Sequence, residues 1–335
     1  MPEVSPHFQG AYLAQLRRTY DGPEFVNAPR GNRSRERIGI SFRIDDPVQR
    51  HITLPSRRTN IIFNFAEALW YLSGSASLDF IGYYAPSIAN YSQDGVTLSG
   101  TAYGPRIFRM GPSEVDQWES LVKVLVADRD SKRAVMHIFE AGELLVPDNI
   151  DVACTLALQF MIREDALHGV GFMRANDAFR GVVSDVFSFT FLQELMATQL
   201  GVDVGTYTHQ VGSFHVYDSD AAWAYRVLAE SAGAVADPPP FPRMPAGNNW
   251  PHVRAVQRLE ELLRTDRLRL DAARVAGLDL PPYWRDVVAL LEIQRQLRHR
   301  TAVDQDVVDG LPDLFRSLVV TKWPQLASAP AAEAA

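Results

Sequence analysis

The 335-residue sequence contains one cysteine, Cys154. A single thiol cannot close an internal disulfide, so the stapled frameworks of small secreted domains are excluded, and a thiolate-rich zinc site with them. No apolar run approaches the roughly 18 residues that a membrane-spanning helix needs. The opening residues, MPEVSPHFQG, lack the basic-then-apolar order of a secretory leader. Positive charge is in short supply: 33 Lys and Arg stand against 40 Asp and Glu, a net charge of −7. That balance argues against bulk nucleic-acid binding, which needs a net basic face. These absences lead to the expectation of a cytoplasmic protein with no membrane or nucleic-acid partner.

What is present is an apolar content of 47%, ample for a large core. Residues 1–50 read as irregular and Arg-rich. The run TNIIFNFAEALWYLSG predicts a helix capped by Thr59 or Asn60, with Ile61, Ile62, Phe65, Leu69 and Leu72 on one face and Gly74 at its end. Residues 75–112 read as turns and loops. Ser113 with Asp116 opens a second helix through about Val126. RAVMHIFE, ACTLALQFMI, LHGVGFMR and GTYTHQVGSFHVY are strand-like runs. Ser184 to Leu200 predicts a long buried helix stopped by Gly201, and Asp218 starts another through Ala232. The prolines at 238–242 separate a body, residues 1–245, from a helical extension at 246–325 packed on it. The last residues, 326–335, are low in complexity and are expected to be disordered.

The stretches FNFAEALWYLSG, TAYGPRIF, SKRAVMHIFEAGEL, DVACTLALQF, FMRANDAFRGVVSDVFSF and THQVGSFHVY follow one another in an order and spacing that resembles the thymidylate synthase superfamily over roughly residues 30–245. The resemblance implies an α+β fold: a large mixed or antiparallel sheet with helices against one face and a homodimer interface on the other. It implies 5,10-methylenetetrahydrofolate as co-substrate.

On base rates, a thiol in an apolar strand is an inert core residue. The resemblance instead makes Cys154 a nucleophile that adds to C6 of a pyrimidine and turns C5 into a carbon nucleophile. It places Arg174 beside that thiol and the substrate phosphate. It assigns Glu67, a carboxylate within an apolar helix, general acid/base work through ordered water, and Tyr103 a part in removing the C5 proton. Arg33 matches the phosphate arginine, with Arg35 and Arg37 as alternatives in NRSRER. Lys132 and Arg133 match a pair that reaches the neighbouring subunit's phosphate. His215 and Tyr217, on one face of a strand, match the pair that holds the ribose hydroxyl. Asp177 and Gly181 match folate-side positions.

Three departures bear on substrate and product. Thymidylate synthases carry asparagine where this chain has Asp185. An ionised carboxylate only accepts hydrogen bonds, so it suits the N4 amino group of cytosine and opposes the O4 acceptor of uracil. The swap resembles that of the deoxycytidylate hydroxymethylases. The local alternative for Asp185 is an N-cap of the helix that follows. Ala89 falls where synthases carry a tryptophan near the folate, which opens room for water to add to an exocyclic methylene. Ala175 replaces a phosphate-binding serine, and with Lys132 in place of arginine it resembles the CMP hydroxymethylases of nucleoside-antibiotic pathways. The expectation is folate-dependent 5-hydroxymethylation of CMP. The alternatives are dCMP as substrate, a methylating synthase, or a silent nucleotide- or RNA-binding paralogue.

Overall fold

The computed structural model describes residues 3–233 and 236–327. Its frame is a seven-stranded sheet of β1 (Glu3–Ser5), β2 (Phe25–Asn27), β3 (Ser34–Ile44), β4 (Val135–His137), β5 (Thr155–Arg163), β6 (Ala166–Asp177) and β7 (Asp203–Tyr217). Around it lie α1 (Phe8–Asp21), α2 (Ile61–Leu72), α3 (Leu78–Tyr84), α4 (Tyr103–Phe108), α5 (Gln117–Ala127), α6 (Gly181–Leu200), α7 (Ala221–Glu230), α8 (Trp250–Arg264), α9 (Ala272–Ala276), α10 (Pro282–Arg298), α11 (Gln305–Asp309) and α12 (Asp313–Lys322). The strand order is β1-β3-β7-β6-β5-β4, with β2 attached to β3. The expected α+β class holds, and the sheet is mixed. β1 with β3 and β6 with β7 are parallel, and the other pairs are antiparallel.

A parallel β6–β7 pair needs a crossover, and α6 supplies it. The helix is apolar almost all round and is buried from Val182 to Ala197 save for Ser184 and Asp185. Gly201, at φ 68°, ends it in the left-handed region that glycine adopts without strain. In β6 and β7 the alternation of buried and exposed residues flips near the C-terminal ends. Met173 and Asn176 are both buried in β6, as are Val211 and Phe214 in β7. A Cβ on Gly212 would stand 2.7 Å from the Arg174 carbonyl oxygen, so the two strands approach closely at this kink. The kink turns the last residues of both strands toward α6.

The helix expected at TNIIFNFAEALWYLSG is α2, capped by Asn60, whose side chain accepts from the Phe63 amide at 3.1 Å. Asp116 caps α5 in the same way at 2.8 Å. The expectation that residues 1–50 are irregular is corrected, because α1 and the eleven-residue β3 lie there. The start of α1 is capped by a histidine ring, His7 accepting from the Gly10 amide, which no common capping signature announces. Residues 75–112 hold α3 and α4, too short to show a helical period. Leu326, expected in the disordered tail, is buried, and residues 328–335 lie outside the described residues. Among the described residues no helix is long and apolar enough to cross a membrane.

The helices beyond residue 246 share the core of the sheet and its helices. Phe65 of α2 meets Tyr283 of α10 and Phe315 of α12 edge-on, and Phe191 of α6 meets Trp284. Within this aromatic cluster sits Arg50, with no solvent exposure. It donates to Glu194 at 2.5 Å, and its guanidinium lies 5.6 to 5.9 Å from the rings of Phe187, Phe191 and Phe241. The second oxygen of Glu194 accepts from the Met244 amide at 2.8 Å. A charge this deep is tolerated only while its counter-charge is present. Glu194→Gln should therefore cost about 3–5 kcal/mol in urea unfolding. A loss below roughly 1 kcal/mol would mean that Arg50 finds another partner.

Candidate active site

Cys154 is the residue before β5, and its carbonyl accepts from the Arg174 amide at 2.9 Å. The Arg174 guanidinium donates to the carbonyls of Ala153 and Val152 at 2.8 Å each, and one of its nitrogens lies 3.6 Å from Cys154 Sγ. One side chain thus fixes the turn before the thiol and sets a positive charge beside it. Burial pushes the Cys154 thiol above its ordinary pKa. Arg174 pulls it down, Asp185 and Asp151 push it up, and Arg30 lowers it. The resting group is a thiol whose conversion to thiolate depends on its charged neighbours.

The turn is further held by two carboxylates that the sequence reading missed. Asp151 accepts from the amides of Ser99, Gly100 and Thr101 at 2.8, 3.0 and 2.8 Å. Glu143 accepts from the Ala153 amide at 2.7 Å and pairs with Arg106. Both carboxylates are buried. Their roles lie in tertiary contacts, so no local pattern marks them.

Glu67 stands on the opposite wall, on α2. It is 7% exposed and accepts from the Ser188 hydroxyl of α6 at 3.0 Å. Burial, reinforced by Asp185, pushes its carboxyl up to about 8 against the pull of hydrogen bonds from Ser188 and Tyr71. At neutral pH it therefore carries a proton. Tyr71 stacks on Tyr103 at 4.8 Å, and the Tyr103 hydroxyl accepts from Thr155, next to Cys154, at 3.0 Å. Burial raises the Tyr103 phenol well above its ordinary value, and Asp185 and Cys154 raise it further.

Asp185 lies in the second turn of α6, which begins at Gly181, so the alternative that it caps that helix is excluded. Its Oδ2 accepts from Asn176 Nδ2 at 2.7 Å. Burial raises the carboxyl to about 7 despite that bond, and Asp177 adds to the rise. A Cβ on Gly181 would stand 3.1 Å from Asn176 Nδ2 and 3.5 Å from Asp185 Oδ2, crowding this pair. Asp177 accepts from the amides of Phe179 and Arg180 at 2.7 and 3.0 Å. Burial nevertheless raises its carboxyl, while those amides and His215 lower it. The β6–β7 register sets Asp177 opposite His215 and Ala175 opposite Ser213. The His215 and Tyr217 rings lie 4.8 Å apart, and Tyr217 senses Asp177, Tyr91 and Cys154 electrostatically. Cys154, Arg174, Tyr103, Glu67, Asp185, Asp177, His215 and Tyr217 thus surround one region.

The basic N-terminal stretch divides. Arg33 is exposed and pairs with Asp218 at 3.4 Å, next to Tyr217. Arg35 donates to the Tyr20 carbonyl and lies over the Tyr20 ring, and Arg37 pairs with Glu24, so both alternatives point away from the thiol. Arg30, not singled out from the sequence, donates to the carbonyls of Asn149 and Ile150 at 3.3 Å and lowers both Cys154 and Tyr217. Lys132 and Arg133 are exposed ahead of β4. Val135 registers on Gln159, five residues along β5 from Cys154, so this pair is roughly 15 Å or more from the chain's own thiol. Ala89 is exposed in the 3₁₀ turn Pro86–Tyr91, whose Tyr91 raises the Tyr217 phenol electrostatically.

A family model described as thymidylate synthase matches residues 11–244. The chain belongs to the thymidylate synthase family. It is 33% identical over 190 residues to a deoxyuridylate hydroxymethyltransferase of Delftia phage PhiW-14, covering 53% of this chain and 52% of the relative. It is 32% identical over 205 residues to a deoxyuridylate hydroxymethyltransferase of Bacillus phage SP01, covering 58% of this chain and 53% of the relative. The chain spans about half the length of the curated relatives it matches.

Glu67 and Asp185 carry folded-state values of about 8 and about 7, above the roughly 4 of an unfolded carboxyl. For groups raised on folding, the stabilising contribution is complete below the unfolded value and is lost as pH rises through the folded one. The contribution of these two carboxyls to thermal stability should therefore fall between roughly pH 4 and pH 8, while His51 and His209, held down to about 4 and about 3 by burial, act in the opposite sense below roughly pH 6. Glu67→Gln should flatten that fall, gaining on the order of 5 kcal/mol relative to the parent across the interval. Parallel melting-temperature curves for parent and variant would contradict the assignment.

Proposed function

We propose that the chain is a one-carbon transferase that uses methylenetetrahydrofolate to place a hydroxymethyl group on C5 of a cytosine nucleotide, with CMP as the substrate. The observation that carries the base is Asp185, a half-buried carboxyl raised to about 7 by desolvation that already holds one hydrogen bond from Asn176. Such a group can share a proton with N3 of cytosine and accept from the N4 amino group.

Cys154 adds to C6 of the ring, with Arg174 stabilising the thiolate it needs. C5 becomes nucleophilic and takes up the one-carbon unit, which the folate supplies as an electrophile. The C5 proton leaves through Tyr103 and the Glu67 side of the pocket, where Ser188, Tyr71 and Thr155 fix the acid and the phenol. The bond from the one-carbon unit to the folate nitrogen breaks and tetrahydrofolate departs, water adds to the exocyclic methylene so formed, and the C6–S bond breaks, releasing Cys154. Asp177 and Gly181 face the folate, with Ala89 leaving room for that water. His215 and Tyr217 hold the ribose, and Arg174, Arg33 and Arg30 hold the phosphate. Lys132 and Arg133 complete the phosphate site of a second copy in a homodimer, and exposed apolar side chains such as Ile38, Val135 and Leu156 on the strands suit that contact. Ala175 and Lys132 support ribose over deoxyribose.

The named relatives act on deoxyuridylate, and that favours a second reading in which the base is uracil. Competition among CMP, dCMP, UMP and dUMP, read by mass, separates the readings. The expected product is CMP heavier by one CH2O unit, and Cys154→Ala abolishes it. A hydroxymethylated uracil nucleotide would overturn the cytosine reading, and a methyl group on any base would overturn the hydration step.

A smaller change tests the sugar. Ala175→Ser should lower the CMP to dCMP ratio of kcat/KM about tenfold, because a hydroxyl returns beside the sugar-phosphate. An unchanged ratio would remove Ala175 from the account of sugar choice.

A further inference from the structure

Behind Asp185 runs a buried chain of polar groups that the mechanism does not use. The Tyr207 hydroxyl lies 2.8 Å from His209 Nδ1, His209 Nε2 lies 2.9 Å from Asn176 Oδ1, and Asn176 Nδ2 donates to Asp185 Oδ2 at 2.7 Å. Tyr207, His209 and Asn176 are 1%, 0% and 3% exposed. Room for the hydroxyl is provided by Gly171, where a Cβ would stand 2.3 Å from it. We infer that Tyr207, His209 and Asn176 form a directional relay that fixes Asp185 Oδ2 as a hydrogen-bond acceptor and thereby sets which base the enzyme takes.

The direction follows from proton counting. Burial pushes His209 down to about 3, so the ring is neutral and carries one proton. Among the described residues the Tyr207 hydroxyl has one hydrogen-bond partner, His209 Nδ1. Its buried proton therefore goes there, because leaving a buried donor unpaired is costly. Nδ1 is then the acceptor, so Nε2 carries the ring proton and donates to Asn176 Oδ1. That bond orients the amide, and Nδ2 is left to face Asp185. Reversal would require the acid proton on Oδ2, a flipped amide, the other imidazole tautomer and a homeless tyrosine proton.

With Oδ2 held as acceptor, a proton on Asp185 resides on Oδ1. Directed with Oδ2 toward the exocyclic position, the carboxyl accepts from N4 and donates to N3 of cytosine. Uracil presents the reverse pattern, an acceptor at O4 and a donor at N3, and needs the acid proton on Oδ2, where it weakens that oxygen as the acceptor of the Asn176 N–H. This inference deepens the cytosine reading above and rests on it.

The test is the ratio of kcat/KM for CMP over UMP in the full-length chain with saturating methylenetetrahydrofolate. Tyr207→Phe frees the imidazole tautomer and should lower the ratio about tenfold, and His209→Leu should do the same. His209→Gln offers an amide oxygen to Tyr207 and an N–H to Asn176, and should recover most of the ratio lost in His209→Leu. An unchanged ratio in a folded Tyr207→Phe protein overturns the relay. Should Tyr207→Phe not fold, equal ratios in His209→Leu and His209→Gln overturn it, and recovery by glutamine supports it. A parent that prefers UMP defeats the cytosine reading separately. The relay then stands if Tyr207→Phe moves the ratio still further toward UMP, and falls if the ratio does not move or moves toward CMP.

Discussion

The close parallel pairing of β6 with β7 is the contact from which the site is assembled. Where Gly212 lets the Arg174 backbone approach, both strands change the face they bury, and their last residues turn toward α6. Arg174 is thereby delivered to Cys154, Asp177 to His215, and Asn176 to both His209 and Asp185. The crossover helix that the parallel pair requires then brings Asp185 and Ser188 down over the same ends. A topological demand of the sheet and the placement of the chemistry are thus one arrangement. The residue just before β5, Cys154, is brought in from the other side through the pairing of β5 with β6.

Desolvation is the second organising force. Glu67, Asp185 and Asp177 are all raised by burial, with Asp185 raising Glu67 further and Asp177 raising Asp185. Packing acids this way disfavours their charged forms, so the pocket holds protons at a pH where exposed carboxyls have released them. Cys154 feels the same environment, with Arg174 and Arg30 as the opposing charges. Proton supply and thiol activation therefore pull against each other within a few ångströms. The hydrogen bonds from Ser188, Asn176 and the Phe179 and Arg180 amides keep the acids in place without ionising them fully.

Much of this was legible in the sequence where a residue's oddity is local. Glu67 stands out as a carboxylate in an apolar helix, and the Asn60 and Asp116 caps follow from short-range chemistry. The order of motifs around Cys154, Arg174 and His215 marks the family that the match over residues 11–244 establishes. Asp151, Glu143 and Arg30 were not legible, because each acts through backbone groups distant in sequence. The relay behind Asp185 was hidden for the same reason: Tyr207 and His209 read as ordinary alternation of a half-buried strand. Helix α1 escaped notice because a histidine caps it, and α3 and α4 because they span fewer than two or about two turns.

The aromatic cluster around Arg50 has a consequence for the chain's architecture. Helix α2 carries Glu67 toward the sheet side and Phe65 toward α10 and α12, so it has no wet face. A surface helix normally reserves one side for water, and its sequence can drift there freely. Here both sides are committed, one to the buried pair of Glu67 with Ser188 and one to the C-terminal helices. Once such helices are in place, the residues beneath them lose their polar alternatives. The appendage becomes irreversible, since shedding it would leave an oily stripe alongside Glu67.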